Sequence, residues 1–166
     1  MQYDGRSELL KAAPKRLDDA WELLEAPTRN PERSDADYRH LCAAYYLAGY
    51  AVECVLKAYV ILLLDGRGSE RIARWSQVIA HVEAAGGGPD LTGRHSHRLN
   101  RLLIVSELEA QLGSDLQARH DWGICGTWDY AARYMPEHMR DREGIERFVA
   151  ACDHLFHWVE RRLPGR

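Results

Sequence analysis

Past its first turn, the stretch from Tyr38 to Leu64 is apolar almost throughout, and inside the run only Glu53 and Lys57 carry charge. They stand four residues apart, so a helix places them on one face in the favourable order of acid before base. A helix that is apolar nearly all round is normally buried. We therefore read this stretch as the central helix. It starts at Ser34, an N-cap with Asp35 and Asp37 in the first turn, and stops near Asp65-Gly66. At about 100° per residue, Tyr45, Ala48, Val52, Val55, Leu56, Tyr59, Leu62 and Leu63 fill one broad side. Tyr46, Gly49, Tyr50, Glu53 and Lys57 share the other, where Gly49 lets a second backbone approach.

Other stripes follow the same period. Leu9, Leu10, Ala13, Leu17, Ala20, Trp21 and Leu24 predict a first helix capped by Asp4 or Ser7, and Pro14 should kink it or move its start to about Ala13. The segment with Pro27 and Pro31 is a loop. A third helix is expected from about Ser69 to Ala85, with Ile72, Trp75, Ile79 and Val82 on one stripe. A glycine run, Gly86 to Gly88, closes it at Pro89. A fourth carries Leu99, Leu102, Leu103, Ser106 and Ala110 and loosens near Gly113. Between Ser114 and Pro136 we expect one short helix among irregular loops. The last helix, about Asp141 to Leu163, has the clearest stripe: Ile145, Phe148, Val149, Cys152, Leu155, Phe156, Val159 and Leu163. No stretch alternates as a strand does. The expected architecture is all-α, an antiparallel up-and-down bundle of four main helices plus a short extra one.

Length and composition narrow this picture. With 166 residues the chain suits one domain spanning 1–166, and a formal charge of -3 gives no general attraction to nucleic acid. Any such contact has to be a local patch. Cys42, Cys54, Cys125 and Cys152 form no CxxC pair, which favours reduced and mostly buried thiols over a zinc site. The start, MQYDGRSELLK, lacks the basic segment and apolar run of an export signal, so a cytoplasmic location is expected. The central stretch is long enough to cross a bilayer, but Glu53 and Lys57 would then sit near mid-depth, and we expect no membrane partner.

Candidate chemistry lies in three clusters of arginine and histidine. Arg94-His95-Ser96-His97-Arg98 is a basic patch at the start of the fourth helix, with no evident carboxylate for a metal; His97 reads as a capping or loop histidine. Arg133 to His138, reading RYMPEH, precedes the last helix, and Pro136 bends the chain so that the two ends of the motif can converge. Arg147 and His154 lie nearly two turns apart, on a face about opposite the apolar stripe. Arginine beside histidine suits metal-independent phosphodiester chemistry, because histidine exchanges protons near neutral pH and arginine steadies developing phosphorane charge. The glycine run lacks the lysine and hydroxyl of a phosphate-binding loop, and no cofactor is expected. A rival is the doublet His120-Asp121, as in metal-dependent phosphohydrolases, with His81, His95 or His97 upstream and Asp153 downstream, set in a Trp- and Gly-rich loop region.

Taken in order, YYLAGYAVECVLKAYV (Tyr45 to Val60), HRL in HSHRLNRLL (His97 to Leu99), the segment ending in ARYMP (Ala132 to Pro136) and a final amphipathic helix resemble the HEPN superfamily. The resemblance covers roughly Tyr38 to Leu163. It implies a helical bundle, usually homodimeric, from prokaryotic toxin–antitoxin, phage-defence and nucleotidyltransferase-associated settings. It also implies a metal-independent RNase site built from an arginine, four to six residues and a histidine, paired across the dimer. Arg133 and His138 match with four intervening residues, and Arg147 and His154 with six. The expected function is therefore RNA or nucleotide binding, with endoribonuclease activity carried by Arg133 and His138. Tyr134, His97, Arg98, Glu53 and Lys57 are the expected binding residues. An antitoxin or nucleotidyltransferase is the expected partner class. The alternative is a non-catalytic helical module for dimerisation or interaction.

Overall fold

A computed structural model describes residues 5–26, 34–67, 71–131 and 142–164, with the side chains of 34–38 outside that description. Asp4, Ser69, Arg133, Tyr134, Pro136 and His138 lie outside the described residues, as do the two prolines of the first loop. Among the described residues every regular element is helical: α1 (Arg6–Glu25), α2 (Ser34–Asp65), α3 (Trp75–Ala85), α4 (Leu99–Ser106), α5 (Glu109–Ser114), α6 (Leu116–Cys125) and α7 (Arg142–Glu160).

Helix α2 is the axle, as its all-round apolar character requires. Ala44, Ala48, Ala51, Val52, Cys54, Val55, Leu56, Ala58, Val60 and Ile61 are fully buried, and α1, α4 and α7 pack around them. The start of α1 lies beside the end of α2, where Arg6 Nη1 stands 3.9 Å from Asp65 Oδ2. The end of α1 meets the start of α7, where Arg142 Nη1 donates to the Leu24 carbonyl at 2.8 Å. One stretch, Arg39–Asp65, is long and apolar enough to cross a membrane, and 72% of its most apolar window is buried inside this fold.

Four local expectations are corrected. Helix α1 begins at Arg6, after Gly5, and runs through Pro14 as one element. Ala13 and Leu17 on either side are buried against the core, and that packing offsets the one backbone bond Pro14 cannot make. Helix α3 starts at Trp75, because Arg74 is extended and the amides of Ile72, Ala73 and Arg74 are taken by side chains. Asp65 Oδ1 accepts from the Ile72 amide at 3.0 Å, and Gln77 Oε1 accepts from the amides of Ala73 and Arg74 at 2.9 and 3.1 Å. The expected fourth helix is two: Glu107, left-handed at φ 59°, ends α4, and Ala110 belongs to α5. Ser106 Oγ accepts from the Leu108 amide at 3.4 Å across that break.

The fourth correction concerns α6, which turns the expected loop around His120-Asp121 into a helix. Asp115 starts it, its Oδ1 accepting from the Ala118 amide at 3.1 Å and its Oδ2 from Trp158 Nε1 at 2.9 Å. These two bonds hold the Asp115 carboxyl below its ordinary pKa. A carboxyl depressed in the folded state contributes stability above its unfolded pKa and loses it as pH falls through the folded value. We expect the urea midpoint to drop between about pH 5 and pH 3, and Asp115→Asn to flatten that drop. Equal pH dependence in parent and variant would refute this assignment.

Candidate functional site

The buried pair on α2 is the foundation of the site. Lys57 Nζ donates to Glu53 Oε1 at 2.7 Å, and the two residues are 7% and 1% exposed. Lys57 also stands over the Trp75 ring, 5.1 Å from its centroid. The two opposite charges therefore neutralise one another inside the chain.

A third group joins it from 44 residues away: His97 Nδ1 lies 2.9 Å from the same Glu53 Oε1. His97 is therefore more than a capping residue, and the carboxylate partner missing from its neighbourhood in the sequence is supplied by α2. It ends a short 3₁₀ turn, Gly93–His97, that leads into α4. Gly93 takes φ 50°, Ser96 Oγ donates to the Gly93 carbonyl at 2.8 Å, and buried Leu91 and Leu99 anchor the two ends. A carboxylate oxygen only accepts, so Nδ1 of His97 carries the proton of that bond, and in the neutral ring Nε2 is left with the lone pair. The side chain of His97 is 38% exposed, so this outer edge can meet a ligand. Glu53 Oε2 is buried without a hydrogen-bond partner among the described residues.

Beside this edge the His97 ring meets the Tyr130 ring at 4.9 Å, and Arg98 Nε lies 4.0 Å from Asp129 Oδ2. The chain reaches this point through Trp128, which is 2% exposed and covers the Gly49 face of α2. A Cβ at Gly49 would stand 2.4 Å from Trp128 Nε1, so an indole, not a second backbone, uses the gap that Gly49 leaves. Tyr130 precedes Arg133 by three residues in sequence, and the expected Arg133, Tyr134 and His138 follow outside the described residues.

The second arginine–histidine pair is not brought together. Arg147 Nη1 donates to Glu143 at 2.8 Å on the exposed face of α7. His154 is turned to the α6 side with its side chain still 37% exposed. Its Nδ1 stands 2.6 Å from Oδ2 of buried Asp121, an ion-pair distance outside hydrogen-bonding geometry. Asp121 also accepts from Gln117 Nε2 at 3.0 Å. His120 Nδ1 stays 3.4 Å from Asp121 Oδ1, but the other candidate ligands of the histidine–aspartate doublet reading lie elsewhere. His120 is exposed, His95 faces Asp90, His97 faces Glu53, and Asp153 accepts from Trp21 Nε1 at 3.0 Å. Among the described residues no three His, Cys, Asp or Glu side chains are grouped to hold a metal ion.

The four cysteines are free, and all but Cys42 are buried. Burial pushes the Cys54 thiol up to about 12 and raises Cys152 as well, so neither supplies a thiolate at neutral pH. Sequence reasoning missed Trp75, Trp128, Asp129 and Tyr130 as neighbours of the Glu53 group. Their only signal was a polar, glycine-containing face on an otherwise apolar α2, which shows that something covers it and not what does.

No protein-family model, curated protein or solved structure matches the chain. Fold and site together define an all-α protein that carries a carboxylate-anchored histidine beside an arginine and an aromatic ring.

Proposed function

We propose that this chain is a HEPN-type protein. In this reading it forms an antiparallel up-and-down bundle of four main helices that pairs into a homodimer. It binds RNA or a nucleotide at the edge formed by His97, Arg98 and Tyr130, with Arg133, Tyr134 and His138, outside the described residues, as the further residues of the site. The observation that carries this is the hold of buried Glu53 on His97 Nδ1 at 2.9 Å, which orients an exposed imidazole edge next to a cation and a stacking ring. Those are the parts a nucleotide asks for: charge for the phosphate, an aromatic face for the base, and a group that exchanges protons. The contact of α1 with the end of α2 and with the start of α7 supports the bundle order.

In the catalytic form of this reading the chain is a metal-independent endoribonuclease, a toxin or defence module held by an antitoxin or a nucleotidyltransferase. His138 transfers protons at the 2′-hydroxyl and the leaving oxygen. Arg133 stabilises the phosphate, and Tyr134 and Arg98 position the substrate. With a structured RNA in EDTA, Arg133→Ala and His138→Ala are each expected to lower cleavage at least about 100-fold. If both variants cleave as the parent does, the site assignment is wrong. A parent that binds RNA without cleaving it identifies the non-catalytic module instead. His97→Ala is expected to weaken RNA binding by about tenfold, the effect of losing one or two hydrogen bonds.

A further inference from the structure

Helix α1 is charge-segregated in a way the preceding reading does not use. From Arg6 to Arg16 it carries Arg6, Lys11, Lys15 and Arg16 against one acid, Glu8, while Asp18, Asp19, Glu22 and Glu25 crowd the remainder. In a chain of net charge -3 this is a local reversal of sign. The fold turns it into a concave feature. A cleft of 530 Å³ opens between α1 and α2, lined by Lys11, Lys15, Arg16 and, from the opposite wall, Tyr50. A second cleft of 260 Å³ shares the carboxylate Glu8 with it and adds Arg6, Arg71 and Arg74 beside one further acid, Asp65.

We propose that these two clefts form one groove for the backbone of single-stranded RNA, with Tyr50 as the platform on which a base stacks. The inference rests on the reading of the protein as an RNA binder and gives that RNA a second contact. From Arg6 to Arg16 the helix rises about 15 Å, enough for several successive phosphates. Arg16 is tied to Asp19 at 3.2 Å and Arg6 to Asp65 at 3.9 Å. Lys11 and Lys15 are exposed and, among the described residues, pair with no carboxylate, so their charge is available to an incoming anion. They stand one turn apart on one face, and a flexible anionic strand can follow that spacing.

Tyr50 makes the groove suited to a nucleic acid over a bare anion. Its ring is partly buried and lies nearly parallel to Tyr46, at 10° and 6.0 Å, so it is held flat in place. Its phenol stays protonated at neutral pH, because Cys54 and burial both disfavour the charged form, and a phosphate meets no tyrosinate there. A cationic track beside a fixed aromatic face is the arrangement that binds single strands without reading their sequence. The acidic second half of α1 sets where the track ends.

The test is fluorescence anisotropy with a labelled oligouridine across a salt series, run beside a duplex of equal length and vesicles containing phosphatidylserine. The oligouridine is expected to bind best. Lys11→Glu with Lys15→Glu should weaken binding at least about tenfold and reduce the salt slope by about 1.4. The neutral pair Lys11→Gln with Lys15→Gln should give the same reduction in slope, with helicity unchanged by circular dichroism. Tyr50→Leu should weaken binding at least about fivefold, and Tyr50→Phe should not. Parental binding by both lysine pairs, or capture of the vesicles in place of RNA, overturns the groove. A photoreactive uridine separates the two contacts. Crosslinks to Lys11, Lys15 or Tyr50 uphold the groove. Crosslinks confined to His97, Arg98 and Tyr130 sink the groove and leave the reading above intact. Crosslinks confined to the groove sink that reading instead.

Discussion

Glu53→Leu is expected to destabilise the folded chain by about 3–5 kcal/mol, and adding Lys57→Met to restore most of that loss. The single change strands the Lys57 ammonium, 7% exposed, against the Trp75 ring. It also frees Nδ1 of His97, which is 2.9 Å from Glu53 in the parent. The double change replaces the ion pair by apolar groups of similar size, and a buried pair is worth little against such a replacement. Urea unfolding of the three proteins measures both steps. If the single variant loses less than about 1 kcal/mol, Glu53 is not the counter-charge on which Lys57 depends. The double variant should also bind RNA less well than its stability suggests, since Glu53 holds the His97 edge in the proposed site.

Gly49→Ala should lower stability by about 1–3 kcal/mol, although alanine is the better helix former by about 1 kcal/mol. The new Cβ would overlap three atoms of the Trp128 ring, and that ring is buried at 2% exposure. Trp128→Ala alone should cost about 3–5 kcal/mol through lost burial and the cavity it leaves. Once Trp128 is gone the Gly49→Ala penalty should vanish and its sign reverse, giving a coupling above about 1 kcal/mol in a double-mutant cycle. Additive effects would show that Gly49 is not there to seat the indole. Trp128 precedes Asp129 and Tyr130 directly, so Gly49→Ala is also a probe of how firmly the rim of the proposed site is held.

The extent to which the sequence revealed the molecule differs from element to element. Helices α2 and α7 were legible because each spends its length against a core, and a 3.6-residue period in apolar side chains is the direct record of that burial. The division of α4 from α5 was not legible. It turns on one left-handed residue, Glu107, which Ser106 Oγ bridges by accepting from the Leu108 amide, and whose exposed carboxylate pairs with Arg67, 40 residues earlier. The start of α3 was misplaced for a similar reason, since Asp65 takes the Ile72 amide and holds that residue out of the helix. At the site, Glu53 and Lys57 were readable as a pair because helix geometry alone brings residues four apart together. His97 was readable only as part of a basic cluster.

An all-α fold around one buried helix, an ion pair on that helix, and the gathering of cation and imidazole in short stretches can all be read along the chain. Those facts depend on local spacing, and local spacing is written in the chain. Packing in three dimensions is what gives Glu53 to His97 as well as to Lys57, fills the gap at Gly49 with Trp128, and turns His154 to Asp121 and away from Arg147. Each of these joins residues tens of positions apart, and what selects the partner is the shape left when the helices pack, a quantity that no stretch of sequence contains.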